Sequence, residues 1–244
     1  MEHCSMKKRW ILFGILLVIA ALAAAVMIYV GDVYRADGTA LEALESDGTV
    51  TVTRTDYGWF FDGPGEEDAL IFYPGAKVEP ASYAPLLRML AAQDLDVCLV
   101  EMPLNFAFLD MDRASDVIGQ YTYPSWYIGG HSLGGAMAAR YAAAHADTLS
   151  GVILFAAYPT EELDDSLLFL SIYGSEDRVL NREKLEKGRA YTPERSFEYV
   201  IEGGNHAWFG NYGEQDGDGE ASVSHEEQQR KTAAFILEHI RDGE

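Results

Sequence analysis

The feature that most restricts the fold is an alternation that begins near residue 69 and runs to the end of the chain. Ala69 to Tyr73, Val97 to Val100, Trp126 to Ile128, Val152 to Ala156, Leu167 to Tyr173 and Phe197 to Ile201 are short runs of strand length. Helical patterns stand between them. Ala81 to Ala92 places Tyr83, Leu86, Leu87 and Leu90 on one helical face, and Met111 to Gln120 and Leu133 to His145 read as two further helices. Ser224 with Glu227 forms a capping box that opens a final helix ending near Ile240. Strands that alternate with helices imply a parallel sheet covered on both faces, so the chain is predicted to be an α/β domain. Upstream, Val50 and Val52 alternate with Thr49, Thr51 and Thr53, and Tyr57 to Phe61 follows, which predicts an opening antiparallel pair.

A second feature lies outside this pattern. From Trp10 to Val30 every residue is apolar, Gly or Tyr, and 21 such positions span about 31 Å as a helix, the thickness of a bilayer core. Lys7, Lys8 and Arg9 precede the run, whereas Asp32 and Asp37 flank Arg35 after it. The positive-inside rule therefore expects residues 1–9 in the cytoplasm, a membrane helix over 10–30 and everything downstream outside the cell. A cleavable signal peptide is the competing reading, because Ala21, Ala23, Ala24 and Ala25 offer small residues for cleavage, and the domain would then be secreted. Residues 31–48 read as a polar linker and 49–244 as the catalytic domain.

The formal net charge of −21 repels phosphate backbones, so no nucleic-acid partner is expected. Only two cysteines occur. Cys4 precedes the apolar run and Cys98 lies inside a predicted strand, so neither a disulfide nor a zinc site is expected. Asp216-Gly217-Asp218-Gly219-Glu220 fails the spacing of a calcium-binding loop and reads as a solvated acidic turn.

The chemistry concentrates between the strand ending at Ile128 and the helix starting near Leu133. There the sequence runs Gly129-Gly130-His131-Ser132-Leu133-Gly134-Gly135, which contains G-x-S-x-G. In that strand-to-helix context the motif forms a nucleophile elbow: Ser132 projects above the sheet on a strained turn, and Gly130 and Gly134 avoid side-chain clashes on either side. The backbone N–H of Leu133, the residue after the nucleophile, supplies one oxyanion donor.

On these residues the chain resembles the α/β-hydrolase superfamily, in particular small bacterial esterase-like, dienelactone-hydrolase-like members with a serine nucleophile. The resemblance extends from about Val50 to the carboxyl terminus. It implies an α/β-hydrolase fold without a large cap domain, and triad partners in the order Ser, acid, His. The loop after the strand Leu167 to Tyr173 reads Gly174-Ser175-Glu176-Asp177-Arg178, so Asp177 is the implied acid and Glu176 the fallback. Glu202-Gly203-Gly204-Asn205-His206 resembles the glycine-flanked catalytic histidine, which makes His206 the implied base. Relatives carry a His-Gly element where this chain has Tyr73-Pro74-Gly75, and the N–H of Ala76 is the implied second oxyanion donor.

The expected activity is that of a membrane-anchored carboxylesterase acting on a small-molecule acyl ester through an acyl-enzyme on Ser132. No cofactor and no metal are called for. An acyltransferase with the same triad and a non-catalytic binding module on the same fold are the alternatives. Trp208, Phe209 and Tyr212, beside His206, read equally as an acyl pocket or as core. Only about ten residues join the strands ending near Ala157 and starting at Leu167, too few for a helical lid, so an open site is expected.

Overall fold

The computed structural model describes residues 2–241, so Met1 of the expected tail and residues 242–244 of the expected domain lie outside the described residues. The chain divides into two compact units, Met1–Val33 and Tyr34–Glu244. The first holds one helix, α1 (Glu2–Gly31). Its stretch Leu12–Gly31 is long and apolar enough to cross a membrane, a property shared with signal sequences.

The second unit is built on an eight-stranded sheet. Its strands are β1 (Thr51–Arg54), β2 (Gly58–Asp62), β3 (Asp68–Tyr73), β4 (Leu95–Val100), β5 (Ser125–His131), β6 (Gly151–Phe155), β7 (Leu168–Gly174) and β8 (Ser196–Ile201), in the spatial order β1-β2-β4-β3-β5-β6-β7-β8. The opening pair is antiparallel, with Thr51 opposite Asp62, and β2 runs antiparallel to β4. From β4 to β8 every pairing is parallel.

Alternation along the buried strands feeds two cores, because successive side chains point to opposite faces. On β3, Leu70 and Phe72 enter one core while Ala69, Ile71 and Tyr73 enter the other. The first core is closed by α3 (Ala84–Ala91) and α7 (His225–Arg241) through Leu86, Leu87, Leu90, Ile236 and Ile240. The second is closed by α4 (Arg113–Ile118) and α5 (Leu133–Ala144) through Val117, Ala138, Ala139 and Ala142. The predicted α/β architecture is therefore the observed one.

Local differences have local causes. The helix expected over 81–92 begins as a 3₁₀ turn, Pro80–Tyr83, and becomes α-helical at Ala84. Pro85 tolerates that junction because a first-turn residue needs no N–H. The helix expected over 111–120 is shorter because Tyr73 reaches its start: the phenol donates to the Met111 carbonyl (2.7 Å) and accepts from the Ala114 N–H (2.8 Å). Only half of the capping box forms. Ser224 Oγ accepts from the Glu227 N–H at 3.1 Å, while the Glu227 carboxylate pairs with Lys231 at 2.8 Å.

The largest difference concerns the stretch expected to be a linker. From Tyr34 onward it is part of the domain. Tyr34 forms a parallel bridge with Val78, Asp37 caps the short helix α2 (Gly38–Glu42) by accepting from the Ala40 N–H, and Ala40 is fully buried. Asp47 pairs with Arg88, whose guanidinium also donates to the Ala43 and Glu45 carbonyls. A polar sequence hid this docking because the bonds run through backbone and side-chain polar groups.

Candidate active site

The loops that leave the carboxyl ends of the parallel strands converge on one edge of the sheet, where open α/β sheets place their ligand sites. Five of the six non-glycine residues with positive φ among the described residues lie on that edge: Lys77, Leu104, Asn105, Ser132 and Ala156. Strained backbone persists where surrounding structure enforces it, and such positions cluster at functional sites.

Ser132 has φ 53° and ψ −121°, between the last residue of β5 and the first of α5. The glycines around it have no room for a side chain. A Cβ on Gly134 would stand 2.2 Å from the carbonyl oxygens of both Tyr73 and Pro74, and one on Gly130 would stand 2.6 Å from the Tyr73 oxygen. The elbow is thus pressed directly against the end of β3.

Asp177 and His206 meet as expected. His206 Nδ1 lies 2.9 Å from Asp177 Oδ2, and both side chains are buried. The other carboxylate oxygen of Asp177 accepts from the N–H groups of Val179 (2.9 Å) and Leu180 (2.8 Å), which fixes the group's plane. Glu176, the fallback, instead receives the Ser175 hydroxyl. With Nδ1–H donating to the carboxylate, Nε2 of His206 is left as an acceptor, and it is buried without a hydrogen-bond partner.

Ser132, Leu133 and His206 line one cavity of about 250 Å³, together with Ala136, Ala156, Ala157 and Tyr158 from α5 and the β6–β7 connection, and Val179, Leu180 and Asn181 from the acid loop, which leads into α6 (Arg182–Gly188). Ala76 sits in the turn after β3, partly exposed and outside that lining. Residues 156–167 contain no helix, so no helical lid is inserted there. Trp208, Phe209 and Tyr212 also lie outside the lining. Phe209 and Tyr212 are core residues, and Trp208 stacks on His225 with ring centroids 4.3 Å apart.

Three supports of His206 were not foreseen from the sequence. The first is a buried chain of hydrogen bonds through His131. The His206 carbonyl can only accept, so His131 Nε2 carries a proton and donates to it at 3.0 Å. Nδ1 of His131 then accepts from the Tyr83 hydroxyl at 2.8 Å, and that hydroxyl accepts from the Gly75 N–H at 3.1 Å. Burial pushes the His131 pKa well below its usual value and keeps the ring neutral, and it pushes the Tyr83 phenol up.

The second support is α7. Gln228 is fully buried and forms a reciprocal pair with the backbone of Asn205: its oxygen accepts from the Asn205 N–H (3.0 Å), and its amide donates to the Asn205 carbonyl (2.9 Å). The apolar stripe Ala233, Ile236, Leu237, Ile240 extends back one turn to Gln229 and Thr232, which marks a buried face in the sequence but not the Gln228–Asn205 pairing.

The third support lies in the acidic turn. Asp218 accepts from the N–H of Ala207 (2.9 Å), next to His206, and from the N–H of Arg178 (3.3 Å), next to Asp177. It also accepts from the Gly219 N–H, and the Gly219 carbonyl accepts from the Asn205 amide. The turn expected to be merely solvated straps the acid loop to the histidine loop.

Comparison with known proteins agrees with this architecture. No curated protein matches the sequence. Solved structures match at low identity. A CIB-like hydrolase from Thermoplasma acidophilum is 14% identical with a TM-score of 0.54, covering 78% of this chain and 99% of that one. Est1E from Butyrivibrio proteoclasticus is 13% identical with a TM-score of 0.56, covering 80% and 100%. Both show the same fold. The model of the alpha/beta hydrolase family matches residues 69–230, more than half of the chain and a range that includes Ser132, Asp177 and His206, and the chain belongs to that family.

Proposed function

We propose that the domain is a serine hydrolase that cleaves carboxylic esters through an acyl-enzyme on Ser132, and that α1 holds it at the outer face of a membrane. The observation that carries the catalytic reading is the buried Asp177–His206 pair, whose histidine keeps an unpartnered Nε2 and lines the same cavity as a serine on a strained elbow. In this reading His206 Nε2 takes the Ser132 proton as Oγ attacks the ester carbonyl. Asp177 holds the tautomer with Nδ1–H and stabilises the imidazolium. The Leu133 N–H, at the start of α5, donates to the developing oxyanion, and the helix dipole favours negative charge there. His206 then returns the proton to the leaving alcohol, and water attacks the acyl-enzyme by the same route in reverse.

The test is covalent. A fluorophosphonate probe labels the wild-type protein once, and Ser132→Ala abolishes both labelling and hydrolysis of a p-nitrophenyl ester. Full ester hydrolysis by Ser132→Ala would overturn the assignment, and a wild-type protein that resists the probe would point to a non-catalytic domain.

A further inference from the structure

The first residue of the domain, Tyr34, is attached at the catalytic edge. Its N–H donates to the Lys77 carbonyl at 2.8 Å, its carbonyl accepts from the Glu79 N–H at 2.9 Å, and its hydroxyl accepts from the Asp216 N–H at 3.2 Å. Lys77 lies in the loop after β3 and Asp216 in the turn that straps the histidine loop, so the chain joins the domain among the loops that carry the site. Only Asp32 and Val33 separate Tyr34 from the end of α1, three peptide units that span at most about 11 Å.

Lys77 has a second neighbour on the same edge. Its N–H donates to the Asn105 carbonyl at 3.0 Å. Asn105 belongs to the loop after β4, which presents Leu104, Phe108 and Leu109 to solvent at 58%, 55% and 48% exposure. Three large apolar side chains on one short loop are unusual on a soluble surface and mark a surface that meets an apolar partner. One residue thus joins the point where the chain enters the domain to its exposed apolar loop.

We infer that the 104–109 loop rests in the interfacial layer of the bilayer that holds α1, so that the catalytic edge faces the membrane and the substrate is an ester carried in that bilayer. This rests on α1 being a retained anchor, as proposed above. Leucine and phenylalanine on a short loop suit the boundary between headgroups and acyl chains. The absence of a helical lid fits the same placement, because a site already at the surface needs no lid to open.

The experiment uses the full chain in phosphatidylcholine vesicles, with Cys4→Ser to remove one thiol; Cys98 is buried, and burial pushes its thiol up to about 12. An environment-sensitive fluorophore is placed on Phe108→Cys, on Leu109→Cys as a second position, and on Gln93→Cys, an exposed control just before β4 at the opposite edge of the sheet. Labels at 108 and 109 lose most of their fluorescence when the lipids carry a nitroxide on the acyl chain, and the label at 93 does not. Labels at 108 and 109 that stay unquenched on protein that floats with the vesicles would overturn this inference alone. Equal quenching at all three positions would also overturn it. Protein that does not float with the vesicles would overturn the anchor on which it rests.

Discussion

Ser132 is held at a backbone geometry that costs an L-residue about 1–3 kcal/mol, and the contacts of Gly130 and Gly134 with β3 keep it there. That leaves Asp177 as the residue whose chemistry can be changed with least disturbance. Asp177→Asn keeps an oxygen for the N–H groups of Val179 and Leu180 and turns its amide toward His206, which forces the proton onto Nε2. Turnover then drops by about 10⁴, the scale of the equivalent change in a serine protease, with the melting temperature nearly unchanged. Glu176→Gln leaves turnover within about twofold, because that side chain meets Ser175. The buried His131 answers to stability instead. Its folded pKa lies below the unfolded value near 6.5, so unfolding takes up a proton at pH values between the two. Its contribution is intact above about pH 6.5 and is lost as pH falls, by up to about 1.4 kcal/mol per pH unit. Urea midpoints measured from pH 8 to pH 5 fall less steeply in His131→Gln than in the wild type; parallel curves would mean that His131 is not held neutral.

At the scale of elements, the site depends on parts that touch no substrate. Gln228→Leu preserves the shape of α7 but strips both backbone partners from Asn205, and buried polar groups left unpaired cost about 1–3 kcal/mol each. Thermal denaturation then shows a lower melting temperature, and fluorophosphonate labelling of Ser132 slows because the neighbouring His206 is no longer held. Labelling at the wild-type rate would show that α7 only stabilises the fold. The contrast between such supports and the triad explains what could be read in advance. The strands and the elbow at Ser132 announce themselves by local pattern, through apolar runs and glycine spacing, and the resemblance that rests on them implies Asp177 and His206 in the order Ser, acid, His. Gln228, Asp218 and His131 act on residues 23, 11 and 75 positions away, and no local pattern carries such pairings. For Ala76 the resemblance implies a donor in the loop after β3; in the fold Ala76 lies in that loop, partly exposed and outside the cavity lining, and the neighbouring Gly75 N–H donates to the Tyr83 hydroxyl.

For the whole molecule, the question is where the hydrolase domain begins. A polar stretch of Gly, Asp, Glu and Ser suggests a tether that could be removed freely. In the fold, residues 34–48 close one side of the domain. Besides the Tyr34 bridge to Val78, the Tyr34 ring packs on Tyr212 with centroids 5.5 Å apart, and the Asp37 N–H donates to the Asn211 carbonyl at 2.9 Å. Removing the stretch would uncover Val78 and Tyr212, leave the Asn211 carbonyl without that donor, and take Asp47 and two carbonyl acceptors from Arg88. Several such losses at about 1 kcal/mol each are a large share of the 5–15 kcal/mol that stabilises an ordinary domain. In a protein of this size each kcal/mol moves the melting temperature by about 2–4 °C. A fragment starting at Tyr34 is therefore expected to be soluble and to unfold in one cooperative step. A fragment starting at Thr49 melts at least about 10 °C lower and aggregates on heating, read by circular dichroism and light scattering on matched samples. Equal melting of the two fragments would return residues 34–48 to the role of a passive linker, and the domain boundary would move back to residue 49.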